Sequence, residues 1–185
     1  MSVFPKPYAD LVARLRVAGG FVLVVAFAWF SLPDLRSLAL GLPVSIAGLL
    51  LRAWATGHLE KNIRLAESGP YAYVRNPLYL GTLLVAVGLV ISSRRWLLAA
   101  LFAAVFVLIY LPVIELEEQH LSKLFSNFAD YSKRVPSLWP TVHPEKFDVR
   151  FRWSLYVQNQ EYQALLGFLA GEAFLIAKVL LHQGH

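Results

Sequence analysis

An all-α, multi-span integral membrane helix bundle with five transmembrane helices is the fold class this sequence predicts. Three observations carry that prediction. Of its 185 residues, 57% are hydrophobic and only 16% charged, against roughly 45–50% and 25% in soluble domains. The mean hydropathy is +0.54. The apolar residues also gather into runs, and a span takes about 20 mostly apolar residues, with a lower limit near 17. The length suits one domain, residues 1–185.

The first run covers residues 15–32. Lys6, Arg14 and Arg16 before it, and Ala26–Phe27–Ala28 within it, mimic a signal peptide. That triplet lies inside the apolar stretch and is followed by Trp29 and Phe30, so an uncleaved helix is expected. The second run is 38–55. The third, 78–91, is short, and spans only if Tyr79 and Ser92–Ser93 sit in the interfaces. The fourth is 96–114. The fifth, 164–181, contains Glu172 and Lys178. An ionisable residue within a span is a functional candidate by default; a bundle-facing Glu172 paired with a neighbour is the plainer alternative.

Lysine and arginine set the expected topology. They are richest before the first run, between the second and third (Lys61, Arg64, Arg75), and after the fourth (Lys123, Lys133, Arg134, Lys146, Arg150, Arg152). Those segments share one side, so the N-terminus is expected in the cytoplasm, as in a protein of the bacterial inner membrane. Arg94 and Arg95 stand on the other side and pull against this. The two long polar segments, 56–77 and 115–163, are where chemistry should lie. The motif-bearing core covers about residues 52–140. Residues 141–185 supply an interfacial segment and the last helix.

Several function classes are excluded. There is no cysteine, hence no disulfide framework and no thiolate site. The basic residues are scattered between apolar runs, which fits a lipid bilayer as partner and not nucleic acid. No glycine-rich dinucleotide fingerprint or metalloprotease motif is present. His58, His120 and His143 lack ligand spacing, so no metal is expected.

The stretch "SGPYAYVRNPLYLG", residues 68–81, begins as a turn and runs into the third apolar segment. Asn76–Pro77 makes residue 76 extended and puts Pro77 in the first helical turn, where its missing N–H costs nothing. Tyr71, Tyr73 and Tyr79 then gather near a helix N-terminus. Free N–H groups there suit an anion, and tyrosine faces suit a cation or a flat base. An aromatic belt at the bilayer surface explains the same tyrosines equally well. If the second helix continues past Gly57, then His58, Lys61 and Asn62 share a face, either as ligand groups or as an interfacial collar. In "IELEEQHLSKLFSNFADYSKRVPSLWP", residues 114–140, Glu115, Glu117 and Glu118 leave the fourth run while an amphipathic pattern continues.

Together, "GPYAYVRNPLYLG" and "EEQHLSKLF…Y…RVPSLWP" resemble the isoprenylcysteine carboxyl methyltransferase and phospholipid methyltransferase superfamily, membrane enzymes that use S-adenosylmethionine. The resemblance covers roughly residues 52–140. It implies cofactor contacts at Tyr71, at Asn76, Pro77, Leu78 and Tyr79, at Glu117, and through the backbone of Ile63, Arg64, Leu65 and Ala66. Arg75 matches the motif arginine and Glu118 the second acid. Two positions depart from the pattern. Asn76 stands where the family usually has histidine, and Val113 where protein-prenylcysteine enzymes place a substrate-side arginine.

Methyl transfer needs no metal and no nucleophilic side chain, only alignment and exclusion of water. Should the acceptor need a base, Glu118 and His58 are the candidates. Arg152 and Glu161, flanking the last run, are candidate contacts for a small lipophilic or amphipathic acceptor, isoprenyl-carboxylate- or lipid-like. The rival readings are a membrane NADPH-dependent reductase of the sterol-reductase type and a non-enzymatic protein with a vestigial pocket.

Overall fold

The computed structural model describes residues 6–142 and 149–183. His143 and Lys146, invoked above, lie outside them. Among the described residues every regular element is helical. The bundle is built from α1 (Lys6–Phe30), α2 (Leu35–Thr56), α3 (Pro77–Ser93), α8 (Tyr162–Gln183) and one continuous rod. That rod is α4 (Trp96–Val105), a π turn (Phe106–Tyr110) and α5 (Leu111–Leu124). Short helices α6 (Phe128–Arg134) and α7 (Trp153–Gln158) and a 3-10 turn (Gly69–Ala72) occupy the polar segments. Leu35–Thr56, Trp96–Leu124 and Tyr162–Leu181 are long and apolar enough to cross a membrane, while Ala18–Phe30 and Pro77–Ser93 are apolar but shorter. The chain is thus an all-helical membrane protein whose rods follow the five runs. Large apolar side chains such as Phe21, Val24, Leu40, Leu50 and Leu181 face outward, as expected where lipid is the solvent.

Small residues set the closest packing. Gly41, Ser45 and Gly48 of α2 face Gly81, Val85, Gly88 and Ser92 of α3. A Cβ added at Gly41 would lie 2.2 Å from the Gly88 carbonyl oxygen, and one at Gly48 would lie 2.5 Å from that of Gly81. Without a hydrophobic drive between helices in lipid, such close backbone approach is what holds them. Ser45 Oγ donates to Val85 O (3.0 Å) and Ser37 Oγ to Ser92 O (2.9 Å). Arg52, one turn beyond Gly48, lies over Gly81.

Away from the motifs, the opposite end of the bundle is closed by cations. Lys178 Nζ donates to Ala28 O (2.9 Å) and Ser31 O (2.7 Å), satisfying carbonyls that the end of α1 leaves open. This is why a lysine is tolerated in the fifth run. Arg94 pairs with Asp34 at 2.5 Å, and Arg95 Nε donates to Phe30 O. The basic pair that opposed the topology rule therefore has a local structural reason to be there. Asp34 also caps α2: its Oδ1 accepts from Ser37 N at 2.7 Å, and Ser37 Oγ accepts from Asp34 N.

The motif end is covered by two segments. Residues 71–76 run beside 136–141, with Arg75 N donating to Pro136 O (2.9 Å), Asn76 N to Ser137 O (3.2 Å) and Thr141 N to Tyr73 O (2.8 Å). Leu65, Phe128, Tyr131 and Val135 form a small apolar core beneath them, joined by Leu121 and Phe125. The C-terminal segment docks on the end of α2: Arg152 N donates to Gly57 O, and Asn159 Nδ2 to Leu59 O. Phe151 stands so close to Gly57 that a Cβ there would lie 2.1 Å from its ring.

Candidate active site

A cleft of about 810 Å³ opens at the motif end, within the usual range for small-molecule sites. Its cap side is lined by the 59–66 loop, Tyr71, the 75–79 stretch and the α5 carboxylates Glu117 and Glu118. It continues between the rods to Leu49, Thr82, Val85, Gly20 and Ala164. One cleft therefore joins a polar chamber to apolar walls at membrane depth.

The Arg-Asn-Pro motif is held by a clamp. Arg75 donates to both oxygens of Glu118, Nε to Oε1 at 3.1 Å and Nη2 to Oε2 at 2.8 Å, while its Nη1 donates to Ser132 O and Val135 O. Asn76 Nδ2 donates to Glu118 Oε1 (2.7 Å) and to Ser137 O and Oγ. Ser137 Oγ donates to the same carboxylate oxygen at 2.8 Å. Glu118 thus joins the α3 entrance to the Val135–Ser137 corner. Four such bonds fix the Glu118 carboxylate in place at the cleft wall. Residue 76, at φ −119°, ψ 57°, avoids the helical region before proline but is not fully extended.

The cleft carboxylates differ in their partners. Glu118 has Arg75, and Glu60 is paired with Arg152. Glu117 is in no ion pair among the described residues; its Oε1 accepts from Tyr79 Oη at 2.8 Å. Beside it, Tyr71 is buried, and its carbonyl accepts from Tyr131 Oη at 2.8 Å. Burial pushes both phenols well above their usual range, so neither is a base near neutral pH.

Other expected residues fall elsewhere. The second helix stops at Thr56, and Asn62 turns the chain in the left-handed region at φ 59°, which Asn tolerates. Lys61 and Asn62 consequently reach the cleft, whereas His58 does not. His58 is buried against Gly69, with Nδ1 3.1 Å from Ser68 Oγ and its ring edge-on to Phe151. It lines a small neighbouring pocket that shares Glu60, Arg64, Leu65 and Ala66 with the cleft. Gly69, at φ 61°, is the residue that lets the imidazole sit there. Arg64, Leu65 and Ala66 line the cleft, but Ile63 points outward and is 74% exposed. Neither Arg152 nor Glu161 lines it. Each instead pairs with a residue that does, Arg152 with Glu60 and Glu161 with Arg52.

His58 also has a pH consequence. Burial lowers its pKa below 6.5, so the folded chain holds the neutral ring while the unfolded chain takes up a proton as pH falls through 6.5. The unfolded state then binds more protons, and stability falls with pH in that window. Melting temperature is expected to drop from pH 7 to pH 5, and to drop less in His58→Gln. Parallel pH curves for the two would contradict this.

Arg52 and Tyr110 are cleft residues that sequence reading missed as site residues. Arg52 Nε and Nη2 donate to Glu161 Oε1 (2.6 Å) and Oε2 (3.0 Å), and Nη1 donates to Thr82 Oγ1 (2.5 Å). Pairing across 109 positions leaves no local signal. For Tyr110, the seven-residue spacing to Glu117, two helical turns, was the available signal.

A family model described as Phospholipid methyltransferase matches residues 15–127. The chain is 35% identical over 122 residues to the cobalt-zinc-cadmium resistance protein CzcN of Cupriavidus metallidurans, covering 65% of this chain and 54% of that protein. It is 34% identical over 116 residues to the nickel-cobalt-cadmium resistance protein NccN of Alcaligenes xylosoxydans xylosoxydans, covering 62% and 53%. It is 27% identical over 143 residues to the protein-S-isoprenylcysteine O-methyltransferase of Schizosaccharomyces pombe, covering 74% and 60%. The chain spans a little over half the length of these relatives. No solved structure matches it.

Proposed function

The chain belongs to the Phospholipid methyltransferase family, and on that premise we propose that it moves a methyl group from S-adenosylmethionine to an apolar or amphipathic acceptor at the cytoplasmic face of the bacterial inner membrane. The observation that carries this reading is Glu117, the cleft carboxylate without a cation of its own among the described residues. The donor set fits the cofactor: a carboxylate for its ammonium, aromatic faces for its base, and the 64–66 loop beside them. The cofactor supplies an already activated methyl group. The chain's residues bind it, orient it and keep water away. The acceptor's route is supported by the apolar extension of the cleft past Leu49 and Val85. With Glu118 clamped and His58 turned away, the geometry favours an acceptor that reacts without a protein base.

Asn76, the departure from the family's usual histidine, donates its side-chain N–H groups into the clamp, so that departure does not favour a vestigial pocket. The two metal-resistance relatives raise a metal role. Among the described residues no group of three His, Cys, Asp or Glu side chains could hold an ion, so the reading does not use one.

The test is ligand titration into detergent-solubilised protein. S-adenosylmethionine or S-adenosylhomocysteine should raise the melting temperature, because a ligand bound only by the folded state stabilises it. A shift with NADPH alone would overturn the reading in favour of a reductase. Glu117→Gln should weaken S-adenosylmethionine binding about tenfold or more, since a hydrogen bond to a charged group contributes roughly 1.5–3 kcal/mol. Unchanged affinity in that variant would remove Glu117 from the site.

A further inference from the structure

The rod that carries Glu117 is interrupted by the π turn Phe106–Tyr110, in which Leu111 N donates to Phe106 O. Such a turn absorbs one extra residue, about 100° of rotation, and tends to occur where function requires it. Pro112 follows and cannot donate to Leu108 O; that carbonyl accepts instead from Tyr8 Oη at 2.7 Å. The rotation lets α4 keep its own packing while Tyr110, Glu117 and Leu121 all line the cleft. Tyr110 stacks on Phe106 (5.9 Å between centroids, 10° between planes) and meets Tyr79 edge to face (6.1 Å, 77°). Tyr79 is the residue whose hydroxyl holds Glu117. Two aromatic rings at nearly right angles thus stand beside a carboxylate that has no cation partner among the described residues.

We propose that the Tyr79–Tyr110 corner is the subsite for the positive sulfonium of the methyl donor, with the π turn placing Tyr110 there. The inference rests on the methyltransferase reading. Ring faces carry negative potential that attracts an onium group, and the adjacent carboxylate adds to it. A sulfonium and a neutral thioether of nearly the same shape therefore bind this corner unequally. Tyr110 acts as a binding residue that favours the charged donor over its uncharged product.

The experiment compares the affinities of S-adenosylmethionine and S-adenosylhomocysteine by calorimetry in the 185-residue parent, Tyr110→Phe and Tyr110→Leu. The ratio of the two affinities is read. Tyr110→Phe should keep the parent's ratio. Tyr110→Leu should shift it about fivefold toward the product, the size of one partly desolvated cation–π contact. Equal loss of both ligands, or an unchanged ratio in Tyr110→Leu, overturns the proposal while leaving the methyltransferase reading intact. If neither ligand binds the parent, that reading itself fails. Should Tyr110→Leu not fold, fluorinated phenylalanines at position 110 keep the ring and remove its negative face. The ratio should then fall stepwise with fluorine number, and a flat series would refute the subsite.

Discussion

Gly41→Val and Gly88→Val are expected to unfold the bundle, each costing on the order of 3 kcal/mol or more, the upper range for overpacking a close interface. At both sites the added atoms would strike backbone: the Gly88 carbonyl at 2.2 Å from a Cβ at 41, and the Gly41 carbonyl at 2.5 Å from one at 88. Backbone carbonyls within a helix cannot rotate away as a flexible side chain can, so the two helices must separate. Separation also breaks the Ser45–Val85 and Ser37–Ser92 hydrogen bonds. Further along, it lifts Arg52 from Thr82, so the cleft is lost with the seam. Gly167→Ala and Gly171→Ala in α8 are the controls, because a Cβ there meets nothing within 4 Å. They should leave the melting temperature unchanged or slightly raised, as alanine is the better helix former. Thermal unfolding in detergent checks the set. Similar behaviour of seam and α8 variants would mean that the close approach does not hold the fold.

The second large effect is expected at the clamp. Glu118→Ala removes the acceptor of two Arg75 bonds and of bonds from Asn76 and Ser137. Arg75 is left with a side chain only 14% exposed and without its counter-charge. Breaking such a pair costs roughly 3 kcal/mol, toward the low end for buried pairs because solvent reaches the site. Arg75→Ala should cost a similar amount, and the double variant little more than either alone. Additive losses in a double-mutant cycle would show that the two groups do not act as one unit. Asn76→His, whose ring N–H can donate to the same carboxylate, should be milder than Asn76→Ala. Because the clamp sets the α3 entrance that carries Leu78 and Tyr79, cofactor affinity should fall along with stability.

The same residues mark how much of the molecule was legible beforehand. The rods follow runs 15–32, 38–55, 78–91, 96–114 and 164–181, because in lipid a segment must satisfy its own backbone and its hydropathy alone decides where it sits. Ser68–Gly69–Pro70, Asn76–Pro77 and Val135–Pro136 mark turns through dihedral limits that belong to single residues. The motif blocks likewise converge on one cleft at Tyr71, Asn76–Tyr79 and Glu117. Other features are not written in any local pattern. Glu118 and Glu117 are adjacent acids that both line the cleft, and nothing in their spacing says that one is bound to Arg75 while the other is in no ion pair among the described residues. No local pattern marks Arg52, which the Gly48–Gly81 contact carries onto Thr82 and Glu161. Nothing local says that the helix stops at Thr56 and that His58 packs on Gly69 and Ser68. The sequence by itself determined the helices, their order and the turns, since each depends on short-range dihedrals and burial in lipid. Only the tertiary structure decided which charge meets which, because a pairing across 43 or 109 positions is settled by how closely the helix backbones pack.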